Sequence, residues 1–139
     1  MQLFHSYPYL KKFINIARMK RILVVDDNLD VLEVMRALLE MKGYEVYILP
    51  DGGKVIESIK KLSPNLILLD VYLAGYNGID ICVDIKSKPH LKDIPLVMMS
   101  AHSNLDVMMQ NCKADSFVAK PYDSNHLLAV IEAQLTKAV

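Results

Sequence analysis

From Met19 onward, short runs of consecutive apolar residues alternate with longer stretches in which apolar residues recur every three or four positions. Runs of the first kind mark strands buried on both faces, and stretches of the second kind mark amphipathic helices. The pattern predicts strands over 21–25, 44–49, 66–70, 96–100 and 116–119. A first helical stripe, Val31, Leu32, Met35, Leu38 and Leu39, precedes Gly43, a residue suited to a helix C-terminus. A second, Val55, Ile56, Ile59 and Leu62, stops at Ser63-Pro64, where proline cannot continue a helix. Ile79, Cys82 and Ile85 mark a third that ends near Pro89. Leu105, Met108 and Met109 mark a weaker fourth, and Leu127, Leu128, Ile131 and Leu135 a fifth that starts at an Asp123 or Ser124 cap.

Five strands and five helices in strict alternation predict an α/β fold with a doubly wound parallel sheet, because right-handed crossovers place helices on both faces. Ligands in this architecture sit at the C-terminal ends of the strands. Asp26 and Asp27 follow the first strand, and Asp70 closes the third. Ser100 closes the fourth and Lys120 follows the fifth, so one rim collects all five residues.

Composition narrows the function classes. The 139 residues fit one compact domain, so an attached output domain is not expected, and 53% apolar against 23% charged residues suits a globular core. Sixteen basic and sixteen acidic side chains give zero net charge, which disfavours direct binding to a phosphate backbone. The two cysteines, Cys82 and Cys112, lack zinc-site spacing and read as ordinary thiols. No apolar run is long enough to span a bilayer, and residues 1–18 place Lys11, Lys12 and Arg18 after their apolar residues, the reverse of a secretory signal. A cytoplasmic protein without a membrane span is expected.

Three carboxylates on one rim repel one another, so the cluster needs a cation. An all-oxygen donor set selects a hard ion, and Mg2+ tolerates few protein ligands because it keeps several waters. An ionised aspartate beside such an ion can attack phosphorus, and Asp70 is best placed to do so. Lys120 would contribute a positive charge to the phosphoryl group, and Ser100 a hydroxyl hydrogen bond. A dehalogenase-type hydrolase needs a second acid two residues after the nucleophile, where Tyr72 stands. A flavin carrier would not place two aspartates in its phosphate loop.

The ordered set Val-Val-Asp26-Asp27-Asn28, Leu-Leu-Asp70, Met-Met-Ser100-Ala101 and Phe117-Val-Ala-Lys120-Pro121 resembles the response-regulator receiver family, over about residues 19–139. The resemblance implies a flavodoxin-like sheet in the order 2-1-3-4-5. It implies Mg2+-dependent phosphorylation of Asp70 by a histidine kinase or histidine phosphotransfer protein, and self-catalysed loss of the phosphoryl group rather than enzymatic turnover. It makes Asp27 the direct metal ligand, Asp26 a partner acting largely through water, and the backbone carbonyl of Tyr72 a further ligand beside Asp70. Ser100 and Phe117 become the switch pair, and Lys120-Pro121 a cis peptide. As a hypothesis, Tyr72 and His102 at the mouth of the site tune the lifetime of the phosphoryl group.

The function expected is a single-domain response regulator that signals by phosphorylation-dependent protein binding, on the face of the fourth helix, fifth strand and fifth helix. The alternative is a phosphorelay intermediate that passes the group to a histidine phosphotransfer protein. Two departures from the family pattern stand out: Ala74 replaces a common proline, and Lys113 replaces a glycine, so that it must turn left-handed or the loop must take another path. Residues 1–18 form an N-terminal extension ahead of the domain. It is read as an upstream-start artefact before Met19, as a packing or dimer-forming helix, or as a basic amphipathic membrane contact.

Overall fold

The computed structural model describes residues 19–101, 111–120 and 122–137. Strands β1 (Arg21–Val25), β2 (Glu45–Leu49), β3 (Leu66–Asp70), β4 (Leu96–Ser100) and β5 (Ser116–Ala119) form one parallel sheet in the order β2-β1-β3-β4-β5. This is the flavodoxin-like order expected. Among the described residues the α-helices are α1 (Leu29–Met41), α2 (Val55–Leu62), α3 (Gly78–Ser87) and α4 (Ser124–Lys137). The helix expected around Leu105, Met108 and Met109 lies outside the described residues, as does the extension 1–18.

Strand parity explains why apolar residues run consecutively. Ile22, Val24, Leu66, Leu68, Val97, Met99 and Val118 point to one face and bury Leu32, Met35 and Leu39 of α1 with Leu127 and Ile131 of α4. Leu23, Val25, Ile67, Leu69 and Met98 point to the other and bury Val55 and Ile59 of α2 with Cys82 and Ile85 of α3. Both faces are covered, so neither tolerates a polar alternation. Full burial of each of these aliphatic side chains contributes about 2 kcal/mol, and the two packed layers hold the rim of the sheet rigid.

Local signals set the helix ends. The Asn28 side chain accepts from the backbone N–H groups of Asp30 and Val31 at 3.0 and 3.2 Å, which starts α1 immediately after the two aspartates. Gly43, at φ 89°, closes that helix in the left-handed region that glycine favours. The Tyr44 N–H donates to the Leu39 carbonyl, so Tyr44 belongs to this closure and β2 begins at Glu45, one residue later than expected. Asp123 accepts from Asn125 N–H at the head of α4, as the sequence suggests. Ser63 is the one non-glycine residue with positive φ among the described residues, so Lys113 is not left-handed and its loop takes the other path.

Between β3 and α3 the chain forms a small antiparallel hairpin, Tyr72–Leu73 against Tyr76–Asn77. It turns at Ala74-Gly75, with Gly75 at φ 75°. The Gly78 N–H then donates to the Val71 carbonyl at 2.6 Å, drawing the first turn of α3 against the end of β3. A Cβ at position 78 would be driven into the Asp70 carbonyl oxygen and would stand 2.8 Å from the Cα of Val71. Backbone atoms cannot swing aside as a flexible side chain can. Gly78→Ala is therefore expected to cost about 3 kcal/mol of unfolding free energy in urea titrations, whereas a loss of only a few tenths would show that this approach is not tight.

Candidate functional site

Three strand ends build the site. Asp26 follows β1, Asp70 ends β3 and Lys120 follows β5, whose edge is tied to β4 by the Lys120 N–H donating to the Ser100 carbonyl at 2.8 Å. Asp26 is 1% exposed and Asp70 7%. Two carboxylates at that depth need a counter-charge, and the Lys120 ammonium supplies it. Its Nζ lies 2.9 Å from Asp26 Oδ2 and 2.7 Å from Asp70 Oδ2. The outer oxygens are held by backbone: Asp26 Oδ1 accepts from Asn28 N–H at 3.0 Å, and Asp70 Oδ1 from Tyr72 N–H at 3.1 Å. Each carboxylate therefore has a fixed orientation before any ligand arrives.

The electrostatics separate the two acids. Burial pushes the Asp26 carboxyl up, but the Asn28 amide, the Lys120 ammonium and a hydrogen bond with Asp70 more than reverse this and hold it below the ordinary carboxylate value. Burial is also the largest influence on Asp70, and together with the neighbouring Asp26 it outweighs Lys120, so the Asp70 carboxyl is raised. Burial disfavours the Lys120 ammonium as well, yet its hydrogen bonds to Asp70 and Asp26 leave its pKa raised. Asp26 is thus a firm anion, Lys120 a firm cation, and Asp70 the member whose charge is least comfortable.

The other expected residues divide. Ser100 is buried at the end of β4, and β4 pairs with β3 beside Asp70. Phe117 is half-buried and packs on the face of the sheet that carries α2 and α3. The structure does not gather Asp27 into the ion-paired cluster; it is exposed on the loop leading to α1. Tyr72 is exposed beside the site, its N–H bound to Asp70. His102 and Pro121, and with Pro121 the cis-peptide expectation, lie outside the described residues.

Among the described residues no three His, Cys, Asp or Glu side chains stand close enough together to hold a metal by themselves. The donors at the rim still fit magnesium in kind, since all are oxygens and this ion needs only one or two carboxylates beside water. Gly78 was missed by sequence reasoning, although Asn77-Gly78 is a strong turn signal and its close approach fixes the Asp70 backbone. Asn28 serves twice, its side chain capping α1 and its N–H orienting Asp26.

No helix among the described residues is long and apolar enough to cross a membrane. Comparison with known proteins places this geometry. The response regulator receiver domain family matches residues 22–132. The DNA-binding response regulator MtrA of Mycolicibacterium smegmatis is 33% identical over 120 residues, covering 85% of this chain and 51% of that protein. MtrA of Mycobacterium leprae is 32% identical over the same length, so the chain spans about half the length of the curated relatives it matches. Among solved structures, the receiver domain of a signal transduction histidine kinase from Syntrophus aciditrophicus superposes with TM-score 0.80 at 27% identity, over 85% of this chain and 91% of that one. A CheY-like receiver domain protein from Methanospirillum hungatei gives 0.78 at 29% identity, over 86% and 96%. The order of the sheet, the acid pair bridged by lysine and the family match over most of the chain agree: this chain belongs to the response regulator receiver domain family of two-component systems.

Proposed function

We propose that the chain is a phosphorylation switch in which Asp70 accepts a phosphoryl group from a histidine kinase or histidine phosphotransfer protein in the cytoplasm. The observation that carries this reading is the buried Asp70 carboxylate, oriented by Tyr72 N–H and bridged to Asp26 by Lys120. An Asp70 oxygen attacks phosphorus, the bond from phosphorus to the donor breaks, and the donor leaves with its electron pair. Asp26 and Asp27, with Asp70 and the Tyr72 carbonyl, would hold Mg2+, which offsets the charge gathering on the phosphoryl oxygens. Lys120 already lies against Asp70 Oδ2 and is positioned to follow the new phosphoryl group.

The readout proposed is a change of protein partner. Ser100 and the half-buried Phe117 sit on neighbouring strands, with Phe117 beside Met98 in the β4–β5 register. A hydroxyl drawn toward the phosphoryl group would vacate space on the face where Phe117 packs. The ring could then settle inward and alter the surface of β5 and α4. The aligned stretch is about half of the relatives named for DNA binding, and nothing in that name is needed for the switch itself.

Incubation with acetyl phosphate and magnesium is expected to add one phosphoryl group by intact-mass analysis. The adduct is expected to be absent in Asp70→Asn and in a chelator-treated control; an equal adduct in Asp70→Asn would remove the assignment. A second prediction follows from the raised Asp70 carboxyl. A carboxylic acid whose pKa is higher folded than unfolded binds its proton more tightly when folded, so its ionisation erodes stability as pH rises through the folded value. Asp70→Asn is therefore expected to be more stable than wild type at pH 7, with the gain vanishing as pH falls below the ordinary carboxylate value of 3.8. Urea titrations at both pH values check this, and a variant less stable at pH 7 would contradict it.

A further inference from the structure

Cys82 and Cys112 stand thirty residues apart in sequence, on α3 and on the segment that leads into β5. Both are buried, at 0% and 2% exposure, in the same apolar cluster. They are near enough for each to act on the other's thiol, and no disulfide joins them. Cys112 also lines a cavity of about 190 Å³ with Val83, Lys86, Ser87, Asn111 and Lys113, whereas Cys82 does not reach it. Cys112 is thus the member of the pair that borders a cavity able to admit a small molecule.

We propose that Cys82 and Cys112 form a dithiol modification site that hydrogen peroxide converts into an intramolecular disulfide. The Cys112 sulfur attacks one peroxide oxygen, the O–O bond breaks, and water leaves, which gives a sulfenic acid on Cys112. The Cys82 sulfur then attacks the Cys112 sulfur, the S–O bond breaks, and a second water leaves carrying the Cys82 proton. Two thiols are oxidised and one peroxide is reduced to two waters.

The order of attack follows from the surroundings. Cys112 borders the cavity and Cys82 does not, so Cys112 meets the peroxide first and Cys82 is the resolving sulfur; burial, with the neighbouring Cys112, also keeps the Cys82 thiol protonated well beyond the ordinary range. Among the described residues the Lys86 ammonium acts on Cys82 in the opposite direction, and it is already engaged by the Lys92 and Ile94 carbonyls and by Asp115. The bond would tie α3 covalently to the chain entering β5. It involves no group of the phosphoryl site, so its success or failure is independent of the Asp70 reading.

The test treats the folded, reduced full chain with hydrogen peroxide, removes the oxidant with catalase, and then alkylates in denaturant. Wild type is expected to fall from two alkylatable thiols to none, at a mass about 2 Da below the reduced chain, with the Cys82 and Cys112 peptides linked and both thiols restored by dithiothreitol. Cys82→Ala is expected to trap the sulfenic acid on Cys112, detected with dimedone. Should that variant fail to fold, the wild-type peptide map decides alone. Two thiols still alkylated, a sulfinic acid on Cys112 beside a reduced Cys82, or disulfides only between chains would overturn the proposal.

Discussion

The rest of the structure depends on a lysine shared between two buried carboxylates. Lys120 lies fifty residues from Asp70 and ninety-four from Asp26 along the chain, yet its ammonium sits within 3 Å of an oxygen of each. Burying two like charges side by side opposes folding, and the single cation between them compensates only in part, as the raised Asp70 carboxyl records. Three parallel strands must therefore end at one level and stay there. The two apolar layers on either side of the sheet supply the free energy that keeps them in place.

The same arrangement orients the acids in advance of any reaction. Asp26 and Asp70 are each turned by a backbone N–H two residues onward, so the loops that follow β1 and β3 orient the acids as they leave the sheet. Gly78 completes the second loop by bringing α3 against the Asp70 and Val71 backbone. The strain of the site is held as incompletely compensated charge on Asp70, which the Mg2+ proposed for this rim would offset.

Much of this was legible in the sequence because the sheet is buried on both faces. Four of the five strands begin and end where the apolar runs do, and the fifth differs only because Tyr44 closes a helix through its N–H. The acids, Ser100 and Lys120 were legible because strand ends carry function in this architecture, which fixes their neighbourhood before any coordinate is known. The hairpin after Asp70 was not, since strands of two residues are too short to show a period. Gly78 and the Cys82–Cys112 contact were hidden for a different reason: each depends on which segments pack together through space. The sequence did not show how the acid pair divides: Asp26 turns inward to Lys120 while Asp27 stays in solvent.

The proposed switch requires that Asp70, and no other acid of the rim, carry the phosphoryl group. Borohydride reduction of the acetyl-phosphate-treated protein converts an aspartyl phosphate to homoserine, and peptide mass spectrometry then locates the altered position. Conversion at Asp70, with Asp26 and Asp27 intact, is the result predicted. Homoserine at either of those two residues, with Asp70 intact, would contradict the account.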